Sequence, residues 1–120
     1  MNWKPDKKRP LSSQICEKIC ADIVCGAIDP GEKLMSVREF ASEAGINPNT
    51  VQHAFELLEA EGILYSQRGS GWFATEETET CRKKLDQQIR NKTEEFFEEM
   101  KTLGLTTEET KDYVKEWQYE

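Results

Sequence analysis

The chain has 120 residues, of which 37% are hydrophobic and 32% charged, and its formal net charge is −7. This length is enough for one core and a small appendage. No apolar run approaches the roughly 18 residues that a membrane helix needs, and no apolar signal-peptide core follows the basic start. We therefore expect a cytoplasmic protein that does not contact the membrane.

The negative charge is concentrated in the second part of the chain. Residues 1–75 hold 8 Lys+Arg against 10 Asp+Glu, a net charge of −2, whereas residues 76–120 hold 8 against 13, a net charge of −5. No charged residue lies between Glu43 and Glu56. Because DNA phosphates repel carboxylates, this uncharged segment is where a DNA contact is expected. A buried segment would lack charge in the same way, so charge alone leaves both interpretations open.

The sequence contains four cysteines, Cys16, Cys20, Cys25 and Cys81, and the only histidine is His53. Zinc sites usually combine two pairs of Cys or His ligands, and a second pair is missing here. We therefore interpret the cysteines as small core residues and predict no metal and no cofactor. The sequence leaves a redox role for Cys25 or Cys81 open.

The first segment is basic and the second is a predicted helix. Residues 1–10 contain the cluster Lys7–Arg9, which is either a solvated arm or a phosphate-contacting arm. From Ser12 or Ser13 to Cys25 the apolar spacing predicts an amphipathic scaffold helix, capped by a serine and ended by Gly26. A turn at Asp29–Gly31 and a short strand at Leu34 and Met35 are predicted to follow.

Two short helices are predicted next, joined by a tight turn. Ser36 and Glu39 have the spacing of a capping box, and the first helix is predicted to bury Val37, Phe40, Ala41 and Ala44 and to end at Gly45. Arg38 falls in its first turn, where a cation opposes the helix dipole. This placement suggests an external partner such as a phosphate or a guanine edge, although a solvated arginine is the alternative.

The second helix of this pair is predicted to begin with Asn47 as N-cap and Pro48 at its first position. Its inner face is predicted from the apolar spacing: Val51, Ala54, Phe55 and Leu58. Its outer face then holds Asn49, Thr50, Gln52 and His53. Asn and Gln can bind adenine, Thr can contact a thymine methyl group, and free backbone N–H groups at a helix start favour phosphate. Two helices joined in this way are typical of a helix-turn-helix DNA-binding element.

A β-hairpin is predicted after Gly62. Strands at Ile63–Tyr65 and Trp72–Ala74 flank a loop that carries Arg68 and Gly69 at its tip. An arginine at such a tip is placed to enter a DNA minor groove, although it is also an ordinary surface residue of turns.

Six segments together resemble the GntR family of bacterial transcription regulators, and the resemblance covers roughly residues 10–75. The segments are Pro10–Leu11, Ile28–Leu34, Ser36–Ala41, Asn47–Val51, Leu58–Gly62 and Arg68–Phe73. The short remainder resembles the YtrA subfamily, whose members lack a large effector domain. The resemblance implies a winged helix-turn-helix fold and DNA contacts by six residues: Arg38, Asn49, Thr50, Gln52, Arg68 and Gly69.

We add Asn47 and His53 to these candidate DNA-binding residues because they lie on the same helix start. The chain departs from the family pattern at Met35, where proline is usual, and at Trp72 and Ala74, where Thr and Val are commoner. If Phe73 points inward, strand alternation places Trp72 and Ala74 on the opposite face, where Trp72 would cover the base of the following helix.

The C-terminal segment is predicted to form two helices. The first runs from about Glu79 to Leu103 and ends at Gly104, and the second begins with a capping box at Thr106 and Glu109. Two helices of this size cannot bury both apolar stripes, so we expect them to pair with a second copy. The predicted dimerisation residues are Leu85, Ile89, Phe96, Met100, Leu103, Tyr113, Val114 and Trp117. Folding back onto the first domain is the alternative.

The sequence therefore predicts a mainly α protein with a small β-hairpin, in which residues 1–75 form a winged helix-turn-helix domain and residues 76–120 a two-helix dimerisation segment. Its predicted function is a homodimeric, sequence-specific DNA-binding repressor of a palindromic operator. A winged-helix module that binds protein instead of DNA is the second hypothesis. An enzyme is disfavoured because no nucleophile–base pair or phosphate-binding loop is evident. The operator, the regulated genes and any small-molecule effector are not visible in the sequence.

Overall fold

A computed structural model describes residues 2–118, and within that range it contains five helices and one antiparallel hairpin. The elements are α1 (Leu11–Cys25), α2 (Val37–Ala44), α3 (Pro48–Ala60), β1 (Leu64–Gln67), β2 (Gly71–Ala74), α4 (Thr78–Thr102) and α5 (Thr107–Glu116). The chain divides into two compact units between Leu85 and Asp86, inside α4. We call them the first unit and the second unit. This arrangement confirms the predicted fold class.

The core of the first unit forms where α1 and α2 pack against α3. The four residues predicted for the inner face of α3 are all buried. Phe55 is completely buried, and its ring lies 5.8 Å from the ring of Phe40 and 5.6 Å from that of Trp72, in both cases edge to face. Edge-to-face aromatic pairs are favourable beyond the area that they bury, so Phe55 links α2, α3 and the hairpin.

The hairpin is longer and its loop shorter than predicted. β1 and β2 pair from Leu64 with Ala74 to Gln67 with Gly71, which leaves a turn of residues 68–70. The turn closes with a 2.9 Å hydrogen bond from the Ser70 N–H to the Gln67 carbonyl. The predicted strand at Leu34 and Met35 is wrong: a single bridge between Lys33 and Phe73 stands in its place.

The predicted faces of β2 are reversed. Ala74 is completely buried and Trp72 packs on Phe55, whereas Phe73 stacks on Tyr65 at 5.6 Å on the other face. The prediction assumed that Phe73 pointed inward, and an error of one residue in a strand exchanges its two faces. Trp72 therefore completes the core of the winged helix and does not serve as a cover for the following helix.

The predicted serine cap of α1 is also wrong, because α1 begins at Leu11 after Pro10, which makes no side-chain capping bond. The buried side chain of Gln14 instead forms hydrogen bonds with the backbone of the segment before α1. Its Nε2 donates to the Asp6 carbonyl at 2.7 Å and, at 3.2 and 3.3 Å, to those of Arg9 and Pro10. Its Oε1 accepts from the Asp6 N–H at 2.8 Å. The segment before α1 is thus held against the domain, and Lys7 and Lys8 remain exposed.

Three of the four cysteines are core residues, as predicted, and the fourth is not. Cys16, Cys20 and Cys81 are buried, whereas Cys25 is exposed at the end of α1. Burial raises the pKa of the Cys20 thiol to about 12. A neutral, buried thiol is a poor nucleophile, so these three side chains serve packing.

The first turns of α4 belong to the first unit. Cys81 is completely buried there, Leu85 packs partly against the core, and Lys84 forms an ion pair with Glu61 at the end of α3. The helix end that carries Glu61 is closed by Gly62, whose N–H donates to the Glu59 carbonyl at 3.0 Å. These contacts fix the start of α4 to the end of α3.

The second unit has almost no buried side chain. Among its described residues only Thr110 is buried, and its hydroxyl donates to the Thr106 carbonyl at 2.9 Å. The capping box at Thr106 and Glu109 is present as predicted. In the part of the chain that the structure describes, no helix is long and apolar enough to cross a membrane.

Candidate nucleic-acid interface

The start of α2 is fixed by the capping box that the sequence predicts. The Ser36 Oγ accepts from the Glu39 N–H and the Glu39 Oε1 accepts from the Ser36 N–H, both at 3.1 Å. The hydrogen bond from the Ser36 backbone, reinforced by the one with its side chain, lowers the pKa of Glu39. The carboxylate thus offsets the dipole of the turn that carries Arg38.

Arg38 is exposed on this turn, and its side chain has no hydrogen bond or ion pair with any residue between 2 and 118. It borders a shallow depression shared with Ala41, Ser42, Ile46 and Pro48. The guanidinium group therefore stands next to the beginning of α3. An unpaired cation at that place is free to bind an anion.

The beginning of α3 is organised by Asn47, whose Oδ1 accepts from the Asn49 N–H at 2.8 Å. The Asn47 carbonyl accepts from the N–H groups of Thr50 and Val51 at 3.0 and 3.3 Å, and Pro48 has no N–H. The expectation of free backbone N–H groups for phosphate is therefore wrong, because the cap uses them. A ligand at the beginning of α3 therefore has to be bound by side chains.

The side chains on the outer face of α3 are accessible. Asn47, Asn49 and His53 are exposed, and Thr50 and Gln52 are half-buried. This placement agrees with the predicted outer face. The Gln52 Nε2 donates to the Glu56 Oε1 at 3.0 Å. Sequence analysis did not single out Glu56, although its spacing of four residues from Gln52 is that of an interacting pair on a helix.

The hairpin carries Arg68 at its tip, exposed and without a hydrogen bond or ion pair inside the described range 2–118. Gly69 follows with φ +77°, a conformation that side-chain-bearing residues rarely adopt. Glu59 accepts hydrogen bonds from Ser66 on β1, from its hydroxyl at 2.7 Å and from its N–H at 3.2 Å. Glu59, which sequence analysis also missed, thereby joins β1 to the last turn of α3.

Arg38, the outer face of α3 and Arg68 are thus carried by three elements of one unit. The guanidinium groups of Arg38 and Arg68, which are unpaired within residues 2–118, accompany a helix start that offers amide and hydroxyl side chains without carboxylates. This combination suits a ligand that carries both phosphates and hydrogen-bonding base edges. No group of three or more potential metal ligands occurs among residues 2–118.

The predicted dimerisation residues lie on α4 and α5, except Leu103 and Trp117, which directly follow these helices. Six of them line an apolar groove within the second unit: Phe96, Met100, Leu103, Tyr113, Val114 and Trp117. Leu103, Tyr113, Val114 and Trp117 are at least half exposed, and Ile89 is exposed as well. Leu85 differs from the others because it packs against the core of the first unit.

Comparison with known proteins identifies the family. Residues 11–74 match the family described as "Bacterial regulatory proteins, gntR family". A relative named "HTH-type transcriptional repressor YtrA", from Bacillus subtilis, is 32% identical over 119 residues, which cover 93% of this chain and 87% of the relative. The match therefore extends through both units.

Solved structures support the same assignment. A "GntR family transcriptional regulator from Listeria monocytogenes" superposes with a TM-score of 0.80 and 35% identity, covering 95% of this chain and all of the other. The DNA-binding domain of AraR "in complex with operator ORE1" superposes with a TM-score of 0.54 and 31% identity, covering 56% of this chain and 82% of the other. The chain belongs to the GntR family of bacterial regulators, and it is a DNA-binding transcriptional regulator, not an enzyme.

Proposed function

We propose that the protein represses transcription by binding a palindromic operator as a homodimer. The observation that carries this proposal is the outer face of α3, which is polar and uncharged from Asn47 to His53. The guanidinium groups of Arg38 and Arg68, unpaired among the described residues 2–118, accompany it. In such an arrangement the helix enters the major groove and the hairpin lies over the adjacent backbone and minor groove.

The proposed contacts divide into two kinds. Asn49, Thr50 and Gln52 read base edges in the major groove, with Asn47 and His53 beside them. Arg38 and Arg68 contact phosphates or the minor groove, and the glycine conformation at Gly69 lets the hairpin tip approach the DNA closely.

Dimer formation is proposed from the exposed apolar side chains of the second unit. Leu103 is 75% exposed, Trp117 68% and Tyr113 66%. Contiguous exposed apolar surface of this kind marks an interaction site. A second copy offers the same surface, so a twofold dimer would cover both grooves and present two α3 helices to half-sites about one helical turn apart. Leu85 packs against the core of the first unit and lies outside this exposed surface, so its place at the interface stays a prediction.

Repression is proposed because the relative YtrA, of which the match covers 87%, is named a repressor. A regulator of this kind acts on the chromosome, so we place the protein in the cytoplasm. DNA binding itself is supported by the operator complex of the AraR domain, which shares the fold of the first unit.

Selection of bound sequences from random duplex DNA, at a stated salt concentration near physiological, tests the proposal. We expect an enriched palindrome with two half-sites about one helical turn apart. Sedimentation at micromolar protein should give a dimer. Arg68→Ala should weaken binding to most sequences, whereas Asn49→Ala should change the preference at particular base pairs, at about 1–3 kcal/mol each. A monomer that selects no sequence would refute the proposal.

A further inference from the structure

Gln52 and Glu56 form a hydrogen-bonded pair on the outer face of α3, with 3.0 Å between Nε2 and Oε1. An ionised carboxylate can only accept hydrogen bonds, so the amide nitrogen of Gln52 must face Glu56. The amide oxygen of Gln52 and the second carboxylate oxygen of Glu56 then remain available. Both are acceptors, and a single N–H of the amide is left as a donor.

The pair lies on the face proposed to contact DNA. Asn49, Gln52, His53 and Glu56 follow at intervals of three, one and three residues, which places them on one side of a helix. The opposite side is buried in the core. Glu56 is exposed and has no ion pair with a cation anywhere in residues 2–118. Its carboxylate is therefore directed to the same solvent-facing surface as Asn49.

A carboxylate at this place is unfavourable unless it has a specific partner. Phosphates repel it, and residues 44–55 contain no other charged group. In the major groove, adenine N6 and cytosine N4 are the hydrogen-bond donors, whereas guanine presents only the acceptors N7 and O6. Acceptors on the protein attract the amino groups and repel guanine.

We propose that the Gln52–Glu56 pair is a specificity-determining element that selects a base with an exocyclic amino group, adenine or cytosine, and rejects guanine at one position of each half-site. This inference rests on the proposed function, because it requires α3 to enter the major groove. Adenine is selected if the Gln52 amide makes the main contact, and cytosine if the Glu56 carboxylate does.

The experiment compares the motifs selected by the wild type, Glu56→Gln, Glu56→Ala and Gln52→Ala, all as the full chain. Duplexes carrying each of the four bases at the assigned position then give individual affinities. Glu95→Gln is the matched control, because it removes one exposed carboxylate of α4 in the second unit. Circular dichroism verifies that every variant is folded.

We expect guanine at that position to weaken wild-type binding about tenfold or more. In Glu56→Gln the penalty should shrink to within about threefold, since a second amide can donate to guanine O6 or N7. All other positions of the motif should keep their preferences, and Glu95→Gln should reproduce the wild-type motif. Removal of a negative charge can raise affinity for every sequence, so the readout is the change at one position.

Two outcomes overturn the inference in distinguishable ways. A wild-type motif that tolerates guanine at every position, or Glu56 variants that keep the wild-type preference, would refute the role of the pair and leave the proposed function intact. A wild type that enriches no sequence would refute the proposed function, and this inference with it.

Discussion

The first and second units bury their apolar side chains to very different extents. In the first unit α1, α2, α3 and β1–β2 enclose side chains such as Ile15, Phe55 and Leu58, which are fully buried. In the second unit α4 and α5 carry apolar side chains of similar size, and Val114 and Trp117 are more than half exposed. The capping boxes at Ser36 and Thr106 are nevertheless equally complete.

The difference shows that local helix signals and burial are separate requirements. Capping defines where a helix begins in either unit, but only the first unit supplies enough neighbouring surface to stabilise its helices by burial. The second unit has well-defined helices whose apolar side chains stay largely exposed among the described residues. Four experiments test this contrast, and we give them from the largest expected effect to the smallest.

Phe55→Ala should destabilise the first unit by about 3–5 kcal/mol, because it leaves a cavity between three packed elements. Unfolding in urea, followed by circular dichroism, measures the loss. Leu57→Ala is the matched control, since Leu57 lies two residues away on α3 and is 40% exposed; it should cost less than about 1 kcal/mol. Similar losses for the two variants would mean that the core is not centred on Phe55.

Val114→Asp should dissociate the proposed dimer, because a carboxylate would be buried without a partner at the interface. Val114 lines the apolar groove of the second unit. Sedimentation should show a monomer, and operator binding should fall about a hundredfold, as expected for a loss of roughly 3 kcal/mol.

Asn91→Asp introduces the same charge at an exposed position of α4 that does not line this groove, and it should leave the dimer intact. A Val114→Asp protein that still sediments as the wild-type dimer would assign the interface to another surface.

Ser36→Ala and Thr106→Ala remove the same kind of helix cap, one in each unit. Each should lower the free energy of unfolding by about 1 kcal/mol. The loss from Ser36→Ala should not depend on protein concentration. The loss of stability from Thr106→Ala should be linked to dimerisation, so the urea midpoint of this variant should shift with protein concentration. Ser42→Ala, an exposed position inside α2, is the control and should change little. Identical concentration dependence for both caps would contradict the contrast.

Glu39 should add a small pH dependence to the first unit. Its hydrogen bonds with Ser36 lower the pKa of the carboxyl group from the ordinary value of 4.5. A lowered pKa in the folded state stabilises the protein above the unfolded-state pKa, and this contribution is lost as the pH falls through the folded value. Urea midpoints from pH 6 to about pH 3 should therefore fall less steeply in Glu39→Gln, with Glu95→Gln as control. Parallel curves for wild type and Glu39→Gln would exclude the effect.

The sequence allowed three helix starts to be predicted from short-range capping signals. Ser36 with Glu39, Asn47 with Pro48, and Thr106 with Glu109 are pairs within three residues, so their spacing alone specifies the contact. The helix-turn-helix and the hairpin followed from these signals and from the family resemblance.

Apart from the Gln52–Glu56 pair, the features that were missed depend on contacts between different segments of the chain. The start of α1 is set by the buried amide of Gln14, which no cap signal reveals. The inward face of β2 depends on the contact of Trp72 with Phe55. The bond of Glu59 to Ser66 joins α3 to β1 across seven residues. The structure of a single copy shows that the apolar stripe of the second unit is exposed. The second copy that would cover it is a prediction.

Gln14 also has a consequence for natural variation and for truncation at the N-terminus. Its nitrogen serves three carbonyls and its oxygen one N–H, so the nearly isosteric Glu would keep the accepting bond and lose every donating one. Homologues that retain this anchor should therefore retain the amide itself, and a shortened protein lacking residues 2–10 would leave a polar side chain unsatisfied in the interior. The segment before α1 is an integral part of the fold and cannot be removed as a dispensable leader.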